Sequence, residues 1–214
     1  MKRSMKYSVQ LLALLALPFG LIAPVAAPAA QTPPRASTTQ HVVLAGGCFW
    51  GMQLVFEKLT GVDRVVAGYS GGNAATAHYD IVSTGQTGQA ESVEITYEPS
   101  KISFDQLLRV YFMVAHDPTE RNYQGPDTGS QYRSAIFFAT PQQAREARAA
   151  IAELKKRRAF DKPIVTQVVP LKAFYPAEAY HQDFALHNPA DPYIVINDLP
   201  KVVRLRHEFP KLVR

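Results

Sequence analysis

Cysteine is nearly absent from this sequence, which has a single one, Cys48, among its 214 residues. One cysteine cannot form an internal disulfide. If Cys48 is oxidised during a reaction, no second thiol in the chain can reduce it, so the electrons must come from another molecule. The sequence therefore excludes a disulfide-stabilised fold and a redox cycle that is completed within the chain.

A recognisable metal-binding pattern is also missing. The six histidines are scattered along the chain, and none falls in the HxxxH or CxxC spacings that hold zinc. We therefore expect no metal site and no bound cofactor.

Excess charge is modest once the first 30 residues are set aside. The chain has 23 basic and 18 acidic residues, a net charge of +5. Three of the basic residues and none of the acidic ones lie in residues 1–30, which leaves +2 for the remainder. Domains that bind nucleic acid are typically strongly basic, so we expect no nucleic-acid partner.

Residues 1–30 have the pattern of a secretory signal peptide. Three basic residues within the first six precede an apolar run that begins at Leu11, and Ala27-Pro28-Ala29 offers the small residues of a cleavage site. The alternative is a membrane anchor, because the run is long, although prolines and a glycine interrupt it. We predict an exported, periplasmic protein whose mature chain is not stably inserted in a membrane.

The remaining chain predicts one domain. Residues 31–40 are rich in Pro, Ser and Thr, which is typical of a flexible leader. Residues 41–214 have the length of one domain and no internal repeat. Strand patterns alternate with helix patterns, so the fold class is α/β (α+β), a sheet covered by helices. After about residue 171 the pattern loses a clear period, which predicts a long wrapping C-terminal coil. We expect a monomer.

The stretch Gly46–Gly51 surrounds the only cysteine and contains the only tryptophan, Trp50. A short apolar strand pattern, 41–45, leads into it, and an amphipathic helix pattern leaves it. Cys48 should therefore lie where a strand turns into the first turn of a helix. Flanking glycines allow a sharp bend and leave space beside the sulfur.

This position changes the expected chemistry of the Cys48 thiol. A helix N-terminus stabilises an anion by roughly 0.3–1 kcal/mol, and by up to ~2 kcal/mol when partly buried. At about 1.36 kcal/mol per pKa unit, the thiol pKa falls by at most ~1.5 units. A second group or the substrate must therefore complete the activation. The alternative is a small, buried and unreactive cysteine.

Two other functions are possible from the residues alone. A cysteine hydrolase needs a histidine base and an orienting Asn or Asp, which His116 with Asp117, or His181 with Asn188, could supply. A peptide-binding domain could use Trp50 and the tyrosines as an aromatic groove, but it would not need a reactive thiol.

Five sequence blocks in order resemble the A-type peptide methionine sulfoxide reductase family, and the resemblance covers roughly residues 41–210. Two shorter pieces near the end also fit the family, Tyr180-His181-Gln182 and Pro192-Tyr193-Ile194. The five blocks are Gly47-Cys48-Phe49-Trp50-Gly51, Gly68-Tyr69-Ser70-Gly71-Gly72, Thr87-Gly88-Gln89-Ala90-Glu91, His116-Asp117-Pro118-Thr119 and Gly129-Ser130-Gln131-Tyr132-Arg133-Ser134.

The resemblance implies a two-layer fold with a mixed sheet and the reduction of S-epimer methionine sulfoxide. It assigns Cys48 as the nucleophile. Phe49 and Trp50 would form the apolar surroundings of the substrate methyl group. Glu91 would be the acid that protonates the sulfoxide oxygen, which makes that oxygen a better leaving group. Glu91 must then remain protonated near neutral pH, which requires burial.

Three further residues would contact the sulfoxide oxygen or support that contact. The resemblance assigns Tyr79 and Tyr132 as hydroxyl donors and Asp127 as a polar helper. Without it, the tyrosines could simply be packed with satisfied hydroxyls, and Asp127 could simply form a turn.

The resemblance also implies how the cycle ends. Attack would leave Cys48 as a sulfenic acid, which an external thiol reduces. Many family members carry resolving cysteines in the tail, and this chain has none. We therefore expect a thioredoxin-like protein or a glutathione/glutaredoxin-type reductant. Gln89 replaces the usual family histidine and could alter the hydrogen bonds around Glu91. The substrates would be oxidised proteins and peptides, with an enzyme for free methionine sulfoxide as the alternative.

Overall fold

Eight strands and six helices make up the part of the chain that the computed structural model describes, residues 39–214. The strands are β1 (Gln40–Ala45), β2 (Val62–Ser70), β3 (Ala90–Tyr97), β4 (Tyr123–Gln124), β5 (Asp127–Thr128), β6 (Ala135–Phe138), β7 (Gln167–Pro170) and β8 (Phe174–Pro176). The helices are α1 (Phe49–Glu57), α2 (Tyr79–Val82), α3 (Phe104–Val110), α4 (Pro141–Lys156), α5 (Phe184–His187) and α6 (Leu199–Glu208). Two π-helical segments continue α3 and precede α6, at Tyr111–Ala115 and Ile194–Asp198.

The beginning of the domain differs slightly from the prediction. The predicted signal peptide, residues 1–30, lies outside the described residues. Gln40 was predicted to end the flexible leader, but it starts β1 and pairs with Tyr97 of β3. Its side chain also accepts a hydrogen bond from the Tyr97 hydroxyl, at 2.9 Å. The ordered domain therefore begins at or before Gln40.

Six strands form one mixed sheet in the order β7-β6-β1-β3-β2-β8. All neighbouring strands are antiparallel except β6 and β7, which are parallel. The short strands β4 and β5 form a separate hairpin. The mixed sheet with helices confirms the predicted fold class.

The central strand β1 shows how the layers are built, because its side chains alternate between two clusters. Val42 and Leu44 belong to the main core with residues of α1 and α3, such as Phe56 and Leu107. The intervening residues face a smaller cluster that includes Phe137 of β6. Fully burying one such large side chain stabilises the fold by roughly 1.5–3 kcal/mol, so the helical side supplies most of the apolar stabilisation.

Local capping signals set two helix starts where the sequence predicts them. The Ser103 hydroxyl accepts a hydrogen bond from the Gln106 N–H, and the Gln106 side chain accepts one from the Ser103 N–H, so the capping box before α3 is complete. At the start of α4, the Thr140 hydroxyl accepts a hydrogen bond from the Gln143 N–H, and Pro141 occupies the first position. The Gln143 side chain accepts one from the Ala139 N–H instead of the Thr140 N–H. The segment between His116 and β6 contains the β4–β5 hairpin and a 3-10 turn.

The tail contains more regular structure than the predicted coil. It adds β8 to the edge of the sheet and ends in the ten-residue helix α6. Between them, the Gln182 side-chain amide bonds both the N–H and the C=O of Ala67, at 3.0 and 2.9 Å, and so imitates a strand neighbour. The tail is thus attached to β2 by β8 and by a side chain.

The far end of the tail closes onto α1. The backbone N–H of Arg214 donates to the Lys58 carbonyl at 2.9 Å, and its guanidinium donates to the carbonyls of Glu57 and Val62. The carbonyls of Glu57 and Lys58 lie at the C-terminus of α1, where the last carbonyls have no partners within the helix. The Val62 carbonyl lies at the start of β2. Within residues 39–214, no helix has both the length and the apolar character needed to cross a bilayer.

Candidate active site

Cys48 lies between β1 and α1, where it forms the N-cap of the helix, and it is 9% exposed. The turn needs both preceding glycines. Gly47 has φ +92, and a Cβ there would lie 2.5 Å from the Gln124 side chain. A Cβ on Gly46 would lie 2.8 Å from the His116 ring. The predicted position of Cys48 at a strand-to-helix turn is therefore confirmed, with the cysteine at the cap itself.

Glu91 lies next to this turn and is 2% exposed. It comes from the start of β3, and its Oε2 accepts a hydrogen bond from the Phe49 N–H at 3.1 Å. Burial raises the pKa of Glu91 to about 8, and the charge of Asp127 adds to this, whereas the Phe49 N–H opposes it. Near neutral pH, Glu91 is therefore mostly a neutral acid that can donate a proton.

The pKa of the Cys48 thiol is raised well above its ordinary value. Burial is the largest cause, followed by the charges of Glu91, Asp198 and Asp127, and only the Trp50 N–H lowers it. The helix start therefore does not suffice to ionise the thiol, because the cost of burying a charge exceeds the contribution of the helix. In the absence of substrate, Cys48 is a thiol.

Tyr79 and Tyr132 both lie near enough to Glu91 and Cys48 for the charges of those groups to act on their hydroxyls. Both rings are partly buried against the core. Burial raises the pKa of each hydroxyl, and the charges of Glu91 and Cys48 raise it further. Both tyrosines therefore remain protonated and available as donors. Glu178 fixes the start of α2 because its Oε1 accepts the Tyr79 N–H at 2.9 Å.

Asp127 reaches the site from the β4–β5 hairpin. Its Oδ2 accepts a short hydrogen bond from the Tyr193 hydroxyl. Burial raises the pKa of Asp127, and the Tyr193 bond lowers it. Its charge in turn raises the pKa of Glu91 and of Cys48. Asp127 is thus more than a turn former.

Trp50 and Phe49 supply the apolar part of the site. The Trp50 indole stacks on Phe184, with ring centroids 3.8 Å apart, and meets the edge of Tyr193 at 5.9 Å. Its Nε1–H donates to His181 Nδ1 at 3.2 Å. Phe49 is fully buried, and its ring lies 4.9 Å from the His181 ring. Trp50 is partly exposed and is therefore the residue that can contact a bound methyl group.

Several residues around the site come from the tail, and sequence reasoning assigned them no role. They are Glu178, Tyr193 and Asp198. Tyr193 lies in one of the family-like blocks, which was the only available signal for it. Asp198 has no local sequence signal, because only the fold brings it near Cys48, 150 residues earlier in the chain.

The hydrolase alternative lacks its histidine base. His116 is held by the Tyr111 carbonyl at 2.9 Å and the Ser134 hydroxyl at 2.7 Å. His181 is engaged by Trp50, and the Asn188 side chain donates to the Phe184 carbonyl instead of orienting His181. In residues 39–214, no three His, Cys, Asp or Glu side chains are grouped so that they could hold a metal ion.

Gln89 does not bond Glu91. Its Oε1 accepts the Gly72 N–H at 3.1 Å, and its Nε2 donates to the Asn73 carbonyl at 2.9 Å. Both contacts brace the turn after β2. The effect of replacing the family histidine by Gln89 on the surroundings of Glu91 stays a prediction.

The site thus combines a thiol, a neutral carboxylic acid, tyrosine hydroxyl donors and a partly exposed indole. A thiol can attack an electrophilic sulfur, and the acid and hydroxyls can stabilise and protonate an oxygen that leaves it. The indole favours an apolar substituent on that sulfur. The arrangement suits the reduction of a sulfoxide that carries a methyl group.

Comparisons with known proteins agree with this chemistry. The sequence profile of the family Peptide methionine sulfoxide reductase matches residues 40–212. The chain is 54% identical over 174 residues to Peptide methionine sulfoxide reductase MsrA 2 of Mesorhizobium japonicum, which covers 81% of this chain and 89% of that protein. It is 52% identical over 171 residues to the MsrA 2 protein of Synechocystis, which covers 80% of each.

Solved structures show the same fold. Mxr1 from Saccharomyces cerevisiae in reduced form superposes with a TM-score of 0.67 at 32% identity, covering 73% of this chain and 89% of that one. Methionine sulfoxide reductase A of Corynebacterium diphtheriae gives 0.66 at 37% identity, covering 73% and 77%. The chain therefore belongs to the peptide methionine sulfoxide reductase family, in its A-type branch, whose members are peptide-methionine (S)-S-oxide reductases.

Proposed function

We propose that this reductase transfers the oxygen of S-epimer methionine sulfoxide to Cys48, with Glu91 as the acid. The buried carboxyl of Glu91 beside the thiol carries the proposal, because its pKa of about 8 provides a proton at neutral pH. In the balanced step, the Cys48 thiol and the sulfoxide become a sulfenic acid and a thioether. Glu91 protonates the sulfoxide oxygen while the sulfur of Cys48 attacks the sulfoxide sulfur, and the thiol proton of Cys48 restores the Glu91 acid. The hydroxyl then passes to the Cys48 sulfur as the S–O bond and the new S–S bond break, which gives the sulfenic acid and releases the thioether.

Recovery of Cys48 requires two external thiols, since the chain has no other cysteine. The first condenses with the sulfenic acid, forms a mixed disulfide and releases water. The second attacks that disulfide, frees the Cys48 thiol and leaves with the first as a disulfide. We propose a thioredoxin-like protein or a glutathione/glutaredoxin system as the source.

Single turnover without reductant tests the first step. The full chain is mixed separately with the S and R epimers of a sulfoxide-containing peptide and of free methionine sulfoxide, and the thioether product is measured. We expect about one product per chain from the S epimer only, with a sulfenic-acid probe bound to Cys48. Cys48→Ser is the control and should give none. If folded wild-type protein formed no product from either epimer, the proposal would be wrong.

Multiple turnover tests the second step. The same reaction is repeated with a thioredoxin system, with glutathione plus glutaredoxin, and with a small dithiol. Sustained turnover with either protein system would support the proposal. Turnover with the dithiol alone would contradict it.

We further propose that the protein is exported to the periplasm. The support is the signal-peptide pattern of residues 1–30. Cell fractionation and N-terminal sequencing of the full chain produced in a Gram-negative host test this. A periplasmic protein that starts near residue 31 is expected, and an uncleaved cytoplasmic protein would contradict export.

A further inference from the structure

A buried ion pair lies against the first turn of α1, close to Cys48. Lys201 Nζ is 3.0 Å from Asp198 Oδ1. Asp198 is fully buried, and its Oδ2 has no hydrogen-bond partner within the described part of the chain. The pair uses space left open by Gly51, where a Cβ would lie 2.0 Å from Asp198 Oδ1. A buried carboxyl thus abuts the helix three residues after the reactive cysteine.

The titratable groups that face Cys48 differ in protonation state and in the partners that stabilise their charge. Glu91 is mostly neutral near pH 7, because burial raises its pKa to about 8. Asp127 is partly exposed, and its carboxyl group accepts a hydrogen bond from the Tyr193 hydroxyl. The titratable groups whose charges couple to Cys48 are Tyr79, Glu91, Asp127, Tyr132, Tyr193 and Asp198.

Asp198 differs from the other acids because it forms an ion pair with Lys201, whose charge also lowers the pKa of Asp127. Burial raises its pKa, whereas the Lys201 ammonium lowers it by charge and by a hydrogen bond. A buried carboxylate without a partner would take up a proton. The Lys201 ammonium, 3.0 Å away, thus favours the ionised form of Asp198 against burial, which on balance still raises its pKa. This carboxyl is one of the groups whose charge raises the pKa of Cys48.

We propose that Asp198 is ionised in its pair with Lys201 and is a positioning residue that keeps Cys48 as a neutral thiol until a sulfoxide is bound. A carboxylate beside sulfur opposes a second negative charge there. Asp198 does not need to contact the substrate, because it acts through Cys48. In the free protein, its charge opposes formation of the Cys48 thiolate. When a sulfoxide is bound, the negative charge that develops during attack lies on the sulfoxide oxygen instead of on the Cys48 sulfur.

This arrangement protects a chain with a single cysteine. A thiolate attacks the O–O bond of peroxide and becomes a sulfenic acid, and continued oxidation gives sulfinic acid, which ordinary thiols do not reduce. No second cysteine can trap the sulfenic acid as an internal disulfide. Holding the sulfur protonated between turnovers slows this loss.

The test compares wild type with Asp198→Asn in the full chain. The rate of Cys48 alkylation by iodoacetamide is measured against pH, and the signal is unambiguous because the chain has one cysteine. We expect the midpoint to fall by about one pH unit, so that alkylation and peroxide inactivation at pH 7 rise roughly tenfold. Asp105→Asn is the control, since Asp105 is paired with Arg109 on the exposed side of α3. It should change neither rate.

An unchanged or higher midpoint in Asp198→Asn with wild-type circular dichroism would overturn the proposal. If that variant does not fold, carbon-13 NMR of wild type at pH 7 decides instead: an ionised Asp198 carboxyl is expected, and a protonated one overturns the proposal. The inference rests on Cys48 being the reactive thiol proposed above. Neither alkylation nor NMR involves a sulfoxide, so its failure is distinguishable from failure of the reductase chemistry.

Discussion

The backbone N–H of Phe49 donates a hydrogen bond to Glu91 Oε2 at 3.1 Å. The residue directly after Cys48, the proposed nucleophile, therefore holds Glu91, the proposed acid. Because the donor is a main-chain group at the start of α1, the helix itself sets the position of the acid relative to the thiol. Side-chain motion at position 49 does not change this bond. The catalytic pair is thus built from the junction of β1, α1 and β3.

Replacing Glu91 with Gln should abolish most of the chemistry while preserving this bond. The amide oxygen can still accept the Phe49 N–H, but the side chain can no longer donate an acidic proton. We expect the single-turnover rate with S-epimer sulfoxide to fall ~10²–10⁴-fold. The control is Glu94→Gln, a partly exposed carboxyl on the same strand. A Glu91→Gln rate within a few-fold of wild type would rule out Glu91 as the acid.

The single-turnover rate should also fall as the pH rises through about 8. Glu91 has its pKa raised to about 8, so it holds the useful proton below that pH and loses it above. Glu91 can therefore act as the proton donor at pH values below about 8. Rates measured from pH 6 to 9.5 should show this decline in wild type and lack it in Glu91→Gln. The same decline in both proteins would assign it to another group.

Trp50 should report substrate binding directly, because it is the only tryptophan in the chain. It is stacked on Phe184 and bonded to His181, so its surroundings are fixed before binding. We expect saturable fluorescence changes when Cys48→Ser protein binds the S epimer, and no such change with the R epimer at the same concentration. Trp50→Phe provides the blank. Equal responses to both epimers would show that this face of the site does not discriminate between them.

Gly51→Ala should destabilise the fold in spite of the better helix propensity of alanine. Alanine in a helix is favoured over glycine by about 1 kcal/mol, but the new Cβ would lie 2.0 Å from Asp198 Oδ1. Overpacking of a buried site typically costs ~1–3 kcal/mol. We expect a lower urea midpoint for Gly51→Ala alone. In an Asp198→Ala background the same change should be neutral or stabilising, and equal losses in both backgrounds would contradict the clash.

Glu57 should make the free energy of unfolding fall as the pH rises from about 4 to 8. Burial and the Asp183 carboxyl raise its pKa to about 8, whereas an unfolded Glu titrates near ~4.3. The folded state therefore binds the extra proton in this window, and its contribution is lost as the pH passes 8. Urea unfolding at several pH values should give a smaller slope for Glu57→Gln. Glu153→Gln, an exposed carboxyl late in α4, should retain the wild-type slope.

The sequence predicted those elements whose signals lie within a few neighbouring residues. The strand pattern before Cys48, the glycines around it and the helix pattern after it each depend on neighbouring residues, so one sequence suffices to find them. The helix α6 was missed because its apolar side is short: Val202 and Leu205 are buried, but Val203 is 66% exposed. Its stripe is therefore too weak to stand out from a coil.

The candidate site was only partly predictable for a different reason. Cys48 and Glu91 lie in family-like blocks, whereas Asp198 meets α1 only because the tail folds back over it. The pairing of Asp198 with Lys201 is local, since the two lie three residues apart at the start of α6. The burial of Asp198 against α1 is a tertiary property, so it becomes visible only in the folded molecule.

The contacts of Arg214 at the end of α1 also constrain the order of events during synthesis. Its guanidinium donates to the Glu57 carbonyl across 157 positions of sequence. A ribosome adds roughly 5–20 residues per second, so α1 waits on the order of ten seconds for this partner. Until then, the Glu57 carbonyl at the C-terminus of α1 lacks the hydrogen bond that it accepts from Arg214. During this time, the nascent polypeptide cannot form the contacts of Arg214 that complete its tertiary structure.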